Sequence, residues 1–157
     1  MTGKPPATIR ASDAPQRNGS RYPKIYSGPC EARQKFILGD VFGLDQFGVN
    51  LAVLPPGAWA SQRHWHEGED EFIYVVDGEL LLVDDDGEHV LTPGMCAGFK
   101  AGNGNGHHLK NASDSPATYL EVGTRLKADR AHFSDVDMLA VKTDGAFRFV
   151  KRDGSDF

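Results

Sequence analysis

From Lys35 onward the apolar positions fall in short β-type runs, broken by Gly, Pro, Asn and Asp, and no stretch carries a long amphipathic helical period. The pattern predicts strands over Lys35–Val41, Phe47–Leu54, Ala60–His66, Phe72–Val76, Glu79–Asp84, His89–Leu91, Met95–Phe99, His107–Lys110 and Ala117–Thr124. The breaks between them are turn chemistry: Pro55-Pro56-Gly57, Asp77-Gly78, Asp86-Gly87, Pro93-Gly94 and the run Gly102–Gly106. Asp77-Gly78 and Asp86-Gly87 are hairpin signals. The charged stretch Arg125–Arg130 reads as a turn or short helix. Asp137–Lys142 and Phe147–Lys151 then flank Thr143-Asp144-Gly145-Ala146 as a further hairpin. Many short strands at regular spacing define an all-β sandwich or barrel.

Three regions follow. Residues 1–34 are rich in Pro, Gly, Ser and Arg without periodicity and read as an extended N-terminal arm. Residues 35–124 form the barrel, and residues 125–157 a C-terminal extension with a hairpin. At 157 residues one core suffices.

Within Phe72–Val76 the apolar residues occupy both parities. Ile73 and Val75 share the face of Glu71, while Phe72, Tyr74 and Val76 take the other. A strand apolar on both faces is covered twice, and a second copy of the chain is the natural cover, so the pattern predicts a homodimer.

Composition narrows the classes. A net charge of −5, without a Lys or Arg cluster, argues against a nucleic-acid surface. No apolar run reaches membrane-spanning length, and residues 1–30 lack the apolar core of a secretory signal. Cys30 and Cys96 are too few for a disulfide framework and read as reduced thiols. Together these features predict a cytoplasmic protein.

The chemistry concentrates in His64-Trp65-His66-Glu67-Gly68-Glu69-Asp70-Glu71, answered by His107-His108. Histidines at i and i+2 on a strand share one side. A nearby carboxylate and a third imidazole complete a three-nitrogen, one-oxygen set for a first-row transition ion with positions left open. His108 faces away from His107 and reads as a non-ligand. Glu67, Glu69 and Asp70 read as a solvated turn. Gln62 shares parity with His64 and His66, so its amide is expected beside the ion, binding substrate or orienting a ligand. Trp59 flanks the pocket mouth or, the favoured reading, packs beneath a loop. Asn111 reads as a turn-former. The facing of Asn50, Tyr119 and Glu121 stays open.

These residues resemble the cupin family. Gly57, His64, His66, Glu71 and Gly78 match its first motif, with one extra residue between Gly57 and His64. Gly87, Pro93, Gly94, His107 and Asn111 match the second, with an expanded loop before His107. The resemblance implies a double-stranded β-helix, the jelly-roll barrel, holding a metal through His64, His66, Glu71 and His107. It leaves the ion open among iron, zinc, manganese and nickel. The primary expectation is a metal-dependent enzyme, oxygenase- or isomerase-like, acting on a small polar organic substrate. The alternatives are a non-catalytic module that binds a small ligand or metal and acts with a partner protein, and a metal-stabilised scaffold.

Overall fold

The computed structural model describes residues 5–157, so the first four residues of the expected arm lie outside the described residues. Thirteen strands form three antiparallel sheets. The largest runs β1 (Gln16–Asn18), β2 (Gln34–Ile37), β3 (Phe47–Leu54), β10 (Ala117–Thr124), β5 (Glu71–Asp77) and β8 (Cys96–Phe99) in that spatial order. A second sheet orders β13 (Ala146–Val150), β12 (Leu139–Thr143), β11 (Asp129–Phe133) and β4 (His64–His66). The third is β7 (Gly87–Leu91), β6 (Leu80–Asp84) and β9 (His108–Lys110). A single bridge between His64 and His107 ties the second and third sheets together. The result is the all-β jelly-roll barrel.

Alternation builds its interior. Along β3 and β10 the buried residues are Ala52, Leu54, Ala117 and Tyr119, and along β5 they are Ile73 and Val75. Each fully buried Leu or Val contributes about 1.5–3 kcal/mol relative to exposure. Asp77-Gly78 turns the chain but does not make the expected hairpin, because β5 pairs with β10 and β8 whereas β6 pairs with β7 and β9; Gly78 sits at φ 76°, and a Cβ there would lie 2.6 Å from the Pro116 carbonyl oxygen. Phe72, Tyr74 and Val76 point outward and are exposed. Cys30 is buried, Cys96 is exposed, and both are free thiols.

Four other local expectations need correction. The strand expected over Lys35–Val41 stops at Ile37 and gives way to one helical turn, Leu38–Val41, in which Gly39 presses against the Val49 backbone. The strand expected over Ala60–His66 is regular only at His64–His66; residues 60–63 bend. Arg125–Arg130 is not a separate turn or helix, because Asp129 and Arg130 already belong to β11, which pairs with β4. The arm carries a short strand, β1, paired to β2. Its Tyr22 and Tyr26 pack on a second core of Ala131, Phe133, Met138 and Ala140. No helix among the described residues is long and apolar enough to cross a membrane.

Candidate metal centre and its cavity

The register of β4 with β11 (Ala131↔His66 and Phe133↔His64) fixes both His64 and His66 on the barrel side. His64 Nε2 and His66 Nε2 each lie 3.8 Å from Glu71 Oε2, and His107 Nε2 lies 3.0 Å from the same oxygen. The rings of His64 and His107 are 5.2 Å apart. Ligand atoms of His64, His66 and Glu71 all fall within 4.8 Å of one another. The structure thus brings together His64, His66, Glu71 and His107.

The donor set suits a transition ion, as ring tautomers show. His64 Nδ1 donates to the Gln62 carbonyl at 2.8 Å, and His66 Nδ1 donates to Asp129 Oδ2 at 2.6 Å. Each bond leaves the Nε2 lone pair turned towards Glu71, the form that binds metal. His107 is held differently. Its ring stacks on Phe99 with centroids 3.5 Å apart, and its Nδ1 is buried without a partner. Burial, outweighing Glu71, lowers the His64 pKa to about 3, so the ring is neutral at ordinary pH. Burial would raise the Glu71 carboxyl, but the His107 hydrogen bond and the adjacent His64 and His66 bring it well below the usual carboxylate range.

Several neighbours differ from the sequence reading. The Gln62 amide donates to the Tyr26 carbonyl at 2.8 Å, tying down the arm; its backbone, not its side chain, reaches His64. The bend at residues 60–63 breaks the strand parity on which the inward expectation rested. Glu69 is not solvated. It is buried against Lys142 at 2.6 Å and accepts the Leu126 N–H. Asp70 meets Lys100 on the surface and Glu67 meets His132. His108 is buried against Trp59, with Nδ1 donating to the Ser61 carbonyl. Asn111 closes its own turn through the Ser113 N–H.

Sequence reading missed Asp129. Its side chain is fully buried, with one oxygen on His66 and the other accepting the Gly68 N–H at 2.8 Å. The alternation Asp129-x-Ala131-x-Phe133, buried at each step, is the signal that marks it.

A cavity of about 320 Å³ opens beside His64, Glu71 and His107. Its floor is read from strand register. One cross-strand row runs Glu71, Gly123, Gly48; the two glycines carry no side chain, and the Arg125 guanidinium lies over Gly48. The next row runs Ile73, Glu121, Asn50, Ile37. Glu121 accepts from Lys35 Nζ at 2.6 Å and from Asn50 Nδ2 at 2.8 Å, and the Tyr119 hydroxyl lies 3.4 Å from its other oxygen. Burial, reinforced by Glu121, raises Tyr119 well above its ordinary pKa, leaving a neutral hydroxyl. Asn50 Oδ1 is buried without a partner.

This fold and site define a class, and comparison with known proteins agrees. The family model for the cupin domain matches residues 50–123. The structure superposes on the SPO2919 sugar phosphate isomerase of Silicibacter pomeroyi, a cupin-superfamily protein, with TM-score 0.91, 45% identity and 96% of each chain covered. A candidate sugar phosphate isomerase of Acidithiobacillus ferrooxidans matches with TM-score 0.73 and 25% identity over 80% of each chain. The polyketide cyclase RemF of Streptomyces resistomycificus shares the fold alone, with TM-score 0.58 and 21% identity over 74% of this chain and 78% of that one. Among curated proteins none matches. The chain belongs to the cupin superfamily.

Proposed function

We propose that this cupin is a metal-dependent isomerase of a phosphorylated sugar. The carrying observation is that the imidazole–carboxylate set and the Glu121 cluster line one cavity. The likeness to the Silicibacter pomeroyi protein over 96% of both chains supports the choice of reaction. His64, His66, His107 and Glu71 would hold a divalent transition ion, which supplies Lewis acidity to a substrate oxygen.

Aldose–ketose interconversion moves one proton between adjacent carbons and one between their oxygens, with no external oxidant. Glu121 is the carboxylate placed to take the carbon-bound proton and return it to the neighbouring carbon. Lys35 and Asn50 fix its oxygens, and the neutral Tyr119 hydroxyl supplies a donor beside it. Asn50 Oδ1, without a hydrogen-bond partner among the described residues, is the acceptor for a sugar hydroxyl.

The test is proton NMR of pentose and hexose phosphates in deuterium oxide with metal-loaded protein. The proposal expects the isomeric sugar to appear, with deuterium entering at the reacting carbon. A panel in which no sugar phosphate isomerises removes the reading.

A further inference from the structure

Three arginines near the site, Arg17, Arg21 and Arg33, form no ion pair with a carboxylate among the described residues. Arg17 and Arg33 line the deep cavity together with Glu71 and Glu121. Arg21 and Arg33 share a smaller cavity beside His64 and His66, and Arg17 and Arg21 share the outer cleft. The other cations nearby are neutralised: Lys35 by Glu121, Lys142 by Glu69 and Arg125 by Asp40. Asp45 and Asp144 also line the outer cleft, yet neither forms an ion pair with Arg17 or Arg21 among the described residues.

Three further observations bear on these arginines. Arg17 lies directly opposite Lys35 in the β1–β2 register, and because Glu121 is engaged by Lys35 the Arg17 guanidinium has a cation, not a carboxylate, as its cross-strand neighbour. Arg33 is pre-set, with Nε donating to the Gly19 carbonyl at 2.8 Å and Nη1 to the Ala60 carbonyl, which leaves Nη2 for another partner. Arg21 titrates below its ordinary value, first through burial and then through Arg17 and Arg33.

We propose that Arg17, Arg21 and Arg33 form a subsite for a phosphate monoester, the anionic tail of a substrate whose carbon chain lies in the cavity between Glu71 and Glu121. Guanidinium groups match phosphate oxygens in paired hydrogen bonds, and a dianion answers the uncompensated charge. The arm thereby becomes a functional part of the site. Naming the tail as phosphate rests on the isomerase reading; the anion requirement itself rests on the arginines.

Isothermal titration of the full, metal-loaded chain tests this. The probes are ribose 5-phosphate, glucose 6-phosphate, inorganic phosphate, ribose and glucose, against wild type and the double variant Arg17→Ala/Arg21→Ala. Both substituted residues are exposed, and circular dichroism verifies the fold. The expected result is that one sugar phosphate binds about tenfold or more tighter than its parent sugar, weakens with added salt, and loses about tenfold in the double variant. Equal binding of sugar and sugar phosphate, binding of neither, or unchanged affinity in the variant overturns the subsite. Inorganic phosphate binding as tightly as both sugar phosphates overturns its assignment to a substrate tail. Sugar phosphate binding without turnover leaves the subsite standing and removes the isomerase reading alone.

Discussion

Four side chains form the proposed metal site, and each has a distinct support. His64 and His66 are oriented by hydrogen bonds, His107 by its stack on Phe99, and Glu71 by the three imidazoles around it. Replacing His64 or His107 with Ala is expected to lower bound metal about tenfold or more, while His108→Ala leaves it unchanged, as measured by elemental analysis. Asp129→Asn keeps the shape but weakens the hold on His66, so metal affinity should fall about 10–100-fold in chelator competition, with folding retained. His108 also sets a pH dependence. Burial lowers its pKa from 6.5 to about 4. The unfolded chain therefore takes up the proton first, and stability is lost as pH falls from about 6.5 towards 4. The loss reaches about 2–3 kcal/mol, and His108→Gln should remove that part of the slope in urea unfolding of metal-free protein. An unchanged slope in the variant would assign the acid sensitivity to other groups.

At the scale of elements, β11 links the C-terminal extension to the centre. It pairs with β4, carries Asp129 to His66, and runs beside β12, where Lys142 pairs with Glu69. That ion pair is buried on both sides, so Lys142→Ala strands a carboxylate and is expected to cost about 3–5 kcal/mol in urea unfolding. Lys142→Met combined with Glu69→Gln should recover much of that loss. These elements also mark where sequence pattern stopped being informative. Ala117–Thr124 was legible to the residue because Thr118, Tyr119, Val122 and Thr124 favour extended backbone and Pro116 precedes them. β11 was not, because one of its buried positions is an aspartate that reads as surface until His66 is placed beside it. The same blindness made Glu69 look solvated. Gln62 was misdirected because parity holds only within a strand, and the chain bends before His64. Glycine spacing and the His-x-His pair pointed to the four side chains that converge, but the register that places Glu121 near them exists only in three dimensions.

For the whole molecule, the barrel supplies the proposed metal ligands, the arm supplies arginines unpaired among the described residues, and the extension braces His66. The outward row Phe72, Tyr74 and Val76 stays exposed on β5. We propose that a second copy covers it. Tyr74→Glu should then shift the protein from dimer to monomer in analytical ultracentrifugation, and a wild-type monomer would remove this assignment. The metal centre itself is tested most directly by anomalous X-ray scattering at the absorption edge of the ion that copurifies with untagged protein. The account predicts one peak per chain, about 2.0–2.2 Å from Nε2 of His64, His66 and His107 and from a Glu71 carboxylate oxygen. A crystal with no anomalous peak there, or with one held by other residues, would contradict it.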